Sequence, residues 1–302
     1  MHVTTVRDRI AARWSGGTVD LLERMERLRV DSGRESVRRL RKSVRLLRFL
    51  IGTWRPSGDR DARRSLRREL RELSRALAPA RDAAVHELRT RELVPLVDRS
   101  RPELAKAGRA VVRRLRQRRR AATWRVLDVA DELRHAGLRS RLEQCAWEAR
   151  GELARPASAQ GEELVRAALG EVLAAGRVLE ERDREPGRHR LRKLARVPIA
   201  LDSVLGGDGP GPGVAELKTL RLRLGDLHDL EDTRDRLIRF AEPELEAAAE
   251  LAEYAGIPDG DRKAFFVHAR RNLDERHEAW LGEIRAAWPE LRGRLQAAAS
   301  GA

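Results

Sequence analysis

Four arginines near the start of the chain recur at the spacing of one helix face. They are Arg38, Arg41, Arg45 and Arg48, at positions i, i+3, i+7 and i+10. Neighbouring like charges about 6 Å apart repel each other by roughly 1–3 kcal/mol between effective dielectric constants of 80 and 20. Within this stretch only Glu35 carries an opposite charge in range of the row. Because arginine donates bidentate hydrogen bonds to phosphate, the row predicts a surface that binds a polyanion.

A weaker basic row recurs in the second half of the chain. Its members are His189, Arg192, Lys193 and Arg196, and Lys42 occupies in the first row the place that Lys193 has in the second. Phosphates raise the pKa of a nearby histidine, so His189 is predicted to bind phosphate as a cation at mildly acidic pH. Pro198 lies in the same predicted helix and should kink it, because proline cannot donate the hydrogen bond to residue 194.

Other basic side chains could extend the same surface. Along the predicted helices they are Arg71, Arg75, Arg81, Arg113, Arg116, Arg120, Lys218 and His228. Alternatives stay open for several of them. Arg81 could pair with Asp82, and the dense run that contains Arg116 could be an ordinary solvated face. A lone histidine is more often structural than functional, and this is the interpretation favoured for His228.

Composition restricts the class of protein. The 302 residues carry a formal net charge of +15 with an isoelectric point near 11.2, which indicates an anionic partner. Residues 1–155 have a net charge of +19 and residues 156–302 one of −4, so the first half is predicted to contribute more of the anion site. The single cysteine, Cys145, excludes an internal disulfide and a cysteine-based metal cluster. Neither a membrane span nor a secretion signal is recognisable, which favours a cytoplasmic protein.

Abundant arginine, leucine, alanine and glutamate predict an all-α fold. The proposed organisation is an N-terminal lead over residues 1–17, a first helical bundle over 18–155 and a second over 156–302. Thr18 is predicted to cap a helix at its N-terminus. Helix breaks are predicted at Pro79 and at Gly225-Asp226.

The two halves contain similar segments. The stretch ELRELSRALAPARD beginning at Glu69 aligns with ELKTLRLRLGDLHD beginning at Glu216. The same order of basic helix, loop, leucine-rich helix and short turn ending in aspartate occurs twice. This predicts two bundles related by a pseudo-twofold internal repeat.

The aspartates of the second copy invite a metal-site interpretation. Asp226, Asp229, Asp232 and Asp235 recur every third residue. Carboxylates near a predicted helix start more often cap exposed amides and offset the helix dipole. No Walker loop, HExxH or ExExK signature is present. The sequence therefore predicts no catalytic residue, no metal and no cofactor.

The duplicated motifs resemble those of the CHAD domain, the conserved histidine α-helical domain. They are RKSVRLLR from Arg41, LAPARD from Leu77, HRLRKLAR from His189 and LGDLHD from Leu224, together with Lys218. The resemblance implies two four-helix bundles around a basic central groove or pore that binds inorganic polyphosphate or a similar phosphate or sulfate polyanion. It also implies an association with polyphosphate granules or metabolism, and some family members are fused to triphosphatase domains.

Two departures from the family pattern reinforce the charge asymmetry. Arg38 replaces the first-half histidine, whereas Ile199 and Ala200 replace a basic residue and an aromatic one in the second half.

Two other functions compete with non-catalytic polyphosphate binding. One is nucleic-acid binding, for which the sequence offers basic charge but no recognised motif. The other is an accessory role beside a polyphosphate-hydrolysing enzyme.

Overall fold

The computed structural model describes residues 6–53, 60–148, 160–180, 185–205, 211, 213–241 and 259–300. Ten α-helices and one 3₁₀ turn occupy these ranges, and no strand occurs in them, which confirms the all-α prediction. The helices are α1 (Val6–Val30), α2 (Arg34–Thr53), α3 (Arg60–Ser100), α4 (Pro102–His135), α5 (Leu138–Glu148), α6 (Gln160–Gly176), α7 (Glu185–Leu194), α8 (Arg196–Leu205), α9 (Val214–Ala241) and α10 (Asp259–Ser300). The 3₁₀ turn is Arg177–Leu179.

The first half forms a bundle of α1, α2, α3, α4 and α5. Its core joins the start of α3 to the end of α4 and includes the fully buried side chains of Trp14, Leu47, Leu70, Val126 and Leu142. The apolar face of α2 is continuous and buried, and Arg41 and Arg45 lie on the adjoining face, where they are half-buried. The charged row is thereby held on a rigid helix.

The second half forms a bundle of α6, α7, α9 and α10, with Val172, Leu191, Leu217, Ile284 and Trp288 in its core. The two halves are joined by a third core cluster, in which the far ends of the α3–α4 and α9–α10 hairpins pack together. Both halves therefore share buried surface. The pseudo-twofold relation between them stays a prediction.

Helix α8 belongs to the second half in sequence but packs partly on the first. Its Leu201 and Val204 are buried in the first core cluster, and α8 contacts α1 as well as α6. The predicted kink at Pro198 is confirmed, since α7 ends at Leu194 and α8 starts at Arg196. This break places Arg196 on α8 and leaves His189, Arg192 and Lys193 on α7.

Three predicted helix boundaries are wrong. The α3 helix continues through Pro79, which is exposed, because Leu77 and Ala80 on either side of it are fully buried and hold the helix together. The α9 helix likewise continues through Gly225-Asp226. Thr18 is a buried residue inside α1, which begins at Val6. Burial of a continuous apolar face outweighs these local signals.

No helix in the described part of the chain is both long enough and apolar enough to cross a membrane.

Candidate polyanion-binding site

Five arginines from four helices form one cluster where the two halves meet. This arginine cluster consists of Arg41 and Arg45 of α2, Arg192 of α7, Arg196 of α8 and Arg221 of α9. The main neighbouring charges on Arg45 are the other four members, and Arg192, Arg221 and Arg41 act in turn on Arg196. The two basic rows predicted from the sequence therefore face each other.

The members of the arginine cluster are partly buried, and burial together with mutual repulsion opposes their charge. Burial, followed by the charges of the neighbouring arginines, lowers the pKa of Arg45 to about 10. The same causes lower the pKa of Arg196 to about 10. The pKa values of Arg41 and Arg192 are also lowered, first by burial, and burial lowers that of Arg221. Keeping these arginines charged in the folded chain therefore costs free energy.

Within the described residues, no member of the arginine cluster has a carboxylate oxygen within 4.0 Å of a guanidinium nitrogen. Nη1 of Arg192 and Nε of Arg196 are buried and have no hydrogen-bond partner among those residues. A buried donor without an acceptor costs free energy that an anion can recover. The arrangement is suited to an anionic ligand that accepts several hydrogen bonds at once.

A second basic group continues from the arginine cluster along α2 and α3. This α2–α3 ridge consists of Arg48, Arg67, Arg71 and Arg75. Burial first, and then the charges of Arg71, Arg67 and Arg75, lower the pKa of Arg48. Nη1 of Arg48 donates a hydrogen bond of 2.9 Å to Oγ of Ser74, which fixes it against α3. The ridge extends the positive surface beyond the cluster.

Arg81 lies beside the arginine cluster but is already paired. Its Nη1 lies 2.9 Å from Oδ1 of Asp82, and its Nη2 donates to Asp229 of α9. Burial alone would lower the pKa of Arg81, but Asp229 and Asp82 together raise it. The alternative interpretation of Arg81 as an ion-pair partner of Asp82 is confirmed.

His189 and His228 lie next to each other at the edge of the arginine cluster. Their ring centroids are 5.2 Å apart and the rings are tilted by 51°. Burial and then Lys193 lower the pKa of His189, and burial and then Arg192 lower that of His228. Both rings are therefore predominantly neutral at pH 7 and can still donate one hydrogen bond each.

The carboxylate of Glu231, close to His228, already accepts hydrogen bonds from other side chains. Ligand atoms of Glu185, His228 and Glu231 lie within 4.8 Å of one another, as in a metal site. However, Glu231 accepts hydrogen bonds from Arg188 and, at 2.8 Å, from Nε2 of His277. These two donors compete with any metal for the carboxylate oxygens, so we assign Glu231 a structural role.

The other candidate residues lie outside the arginine cluster. Arg38 is exposed and makes a bidentate pair with Glu35, with Nε 2.6 Å from the carboxylate. Lys218 lies 3.9 Å from Asp202, and Lys42 and Lys193 are exposed. On α4, Arg116 lies 3.1 Å from Glu87, whereas Arg113 and Arg120 are exposed. None of the three α4 arginines is among the main charges acting on the cluster.

Two site residues were not predicted from the sequence. Arg221 aligns with Ser74 in the internal repeat, so the repeat gave it no basic counterpart. Arg67 lies four residues before Arg71 on the same face of α3, and this helical spacing was the available signal.

Two solved structures share the architecture of this chain. PptA from Streptomyces chartreusis aligns with a TM-score of 0.64 and 17% sequence identity, over 92% of this chain and 98% of that chain. The CHAD domain from the plant Ricinus communis aligns with a TM-score of 0.61 and 16% identity, over 87% of this chain and 92% of that chain. At such low identity the likeness concerns the fold alone. No curated protein matches the chain in sequence.

A family model supplies the assignment that these distant structures cannot. The CHAD domain model matches residues 17–238, and this range includes every member of the arginine cluster and of the α2–α3 ridge. CHAD domains are associated with polyphosphate-related proteins. The matched range covers most of the sequence and agrees with the helical architecture, and we conclude that the chain belongs to the CHAD domain family.

Proposed function

We propose that this chain binds inorganic polyphosphate without hydrolysing it, through the arginine cluster and the α2–α3 ridge. The observation that carries the proposal is the arginine cluster, where five partly buried guanidinium groups from both halves face one another without a carboxylate partner among the described residues. A ligand with closely spaced negative charges relieves this repulsion and satisfies the buried donors.

The extent of the positive surface favours an extended ligand over a single phosphate. Arg41 and Arg48 are seven residues apart, or about 10 Å along α2. The α2–α3 ridge continues the row onto the neighbouring helix. A flexible chain that carries about one charge per phosphate can follow such a path, whereas a compact anion can occupy only part of it.

The side chains around the arginine cluster favour binding over catalysis. They supply cationic donors and two neutral imidazoles, while the carboxylates that act on Arg41, those of Asp82 and Asp229, are paired with Arg81. A carboxylate that pairs with an arginine is a poor general base and a poor metal ligand, so the surroundings of the cluster disfavour carboxylate-based catalysis. We further propose a cytoplasmic location and, on the family resemblance, an association with polyphosphate granules.

The proposal is tested by competition. Labelled long-chain polyphosphate is titrated with the pure chain at fixed ionic strength, and unlabelled polyphosphate, duplex DNA and single-stranded RNA are added as competitors. Unlabelled polyphosphate is expected to displace the labelled polyphosphate at a lower concentration of negative charge than either nucleic acid. The affinity for polyphosphate is expected to fall steeply with salt. Equal or better displacement by a nucleic acid contradicts the proposal. Release of orthophosphate with Mg²⁺ or Mn²⁺ shows hydrolysis instead of simple binding.

A further inference from the structure

Three carboxylates on α9 each bond to a basic side chain of α3. Oδ1 of Asp226 lies 2.6 Å from Nη2 of Arg89, Asp229 pairs with Arg81, and Oδ2 of Asp232 lies 3.2 Å from Nε2 of His86. Because α3 belongs to the first half and α9 to the second, these contacts help to hold the two halves together.

Asp229 differs from Asp226 in its surroundings. The side chain of Asp229 is 17% exposed and that of Asp226 is 50% exposed. The negative charge of Asp229 acts on both Arg41 of α2 and Arg192 of α7. Asp226 is not among the main charges that act on the members of the arginine cluster. The two aspartates therefore make similar interhelical ion pairs, but only Asp229 is also a neighbour of the anion site.

We propose that Asp229 is a built-in counter-anion that closes the α3–α9 end of the arginine cluster and limits how much of a bound polyanion the cluster contacts. This inference rests on the proposed function. Asp229 keeps one amino group of Arg81 occupied and competes with phosphate for Arg41 and Arg192. It is thus a specificity-determining residue, because an anion must carry enough charge density to displace a carboxylate that is already in place.

The substitution Asp229→Asn removes this competing charge while keeping the shape of the side chain. Affinity for a short polyphosphate is expected to rise about tenfold at low salt, because Arg81 gains a free donor and Arg41 and Arg192 lose a counter-charge. The slope of log affinity against log salt is expected to steepen by about one, as one further phosphate contact is made. A purely structural role would not steepen this slope. Asp229→Glu keeps the charge and is expected to restore the wild-type slope.

Asp226→Asn is the matched control, since it breaks an ion pair between the same two helices and changes the total charge equally. Its affinity and slope are expected to equal those of the wild type. If Asp229→Asn does not fold, Asp82→Asn takes its place, because Asp82 shares Arg81 and also acts on Arg41. An unchanged slope in the folded variant, or an equal gain in Asp226→Asn, overturns the inference. Failure of the wild type to bind any polyphosphate overturns the proposed function instead.

Discussion

Reversing the charges of Arg45 and Arg196 together is expected to abolish polyphosphate binding while the helical fold remains. These residues lie on α2 and α8, and the main charges acting on each are those of other arginines. Two glutamates there would repel phosphate and form ion pairs with Arg41, Arg192 and Arg221. Affinity at low salt is expected to fall more than about 100-fold, since like-charge contacts cost several kcal/mol. Anisotropy titration measures the loss, and circular dichroism checks the helices.

The matched control places the same charge change on exposed helix surfaces away from the cluster. Arg113 of α4 is exposed, and Arg139 of α5 is exposed with Glu143 at 3.9 Å. Arg113→Glu with Arg139→Glu is expected to weaken binding only a few-fold, through the lower net charge. An equal loss in both double variants would mean that net charge, and not the arginine cluster, determines binding. That result would also restore the α4 arginines as candidate contacts.

Removing one charge from the cluster is expected to stabilise the free chain. In Arg45→Met or Arg196→Met the apolar stem remains packed and the repelled guanidinium is gone. Repulsion between unit charges about 6 Å apart is worth roughly 1–3 kcal/mol, so the melting temperature at low salt should rise by roughly 2–5 °C. Thermal unfolding followed by circular dichroism measures the change.

Proton linkage gives the sign of this change in stability. Burial and the neighbouring arginines lower the pKa of Arg45 to about 10 in the folded chain, well below its ordinary value, so the folded state binds this proton less tightly than the unfolded state does. The penalty is fully present below about pH 10 and is relieved as the pH rises through that value. At pH 7 the substitution therefore acts at full strength. Arg139→Met, at an exposed position, is expected to leave the melting temperature unchanged. A lower melting temperature for both cluster variants would contradict the claim that repulsion between these arginines destabilises the folded chain.

Much of the site could be predicted from helical spacing. The spacing of Arg41 and Arg45, and of Arg192 and Arg196, places each pair on one helix face, and the structure brings the two pairs together. Arg221 could not be predicted in this way, because its membership depends on how α9 packs against α7 and α8. Such helix contacts are set by the packing of buried side chains from distant parts of the chain.

Ion pairs between neighbouring residues were partly predictable from the sequence, and the helix boundaries were less so. Glu35 is within reach of Arg38 along α2, and the structure pairs them, which removes Arg38 from the cluster. Pro198 correctly predicted a helix break, because it coincides with the place where α8 turns onto the first bundle. Pro79 did not break α3, where the buried leucine face continues across it. Tertiary packing decides which proline interrupts a helix.

The most direct test of the central claim is a crystal structure of the chain with a short polyphosphate bound. Phosphates are expected between α2 and the kinked pair α7 and α8, within hydrogen-bond distance of Arg45, Arg192 and Arg196. Phosphates found only on the exposed arginines of α4, with the arginine cluster unchanged and without phosphate, would contradict the account.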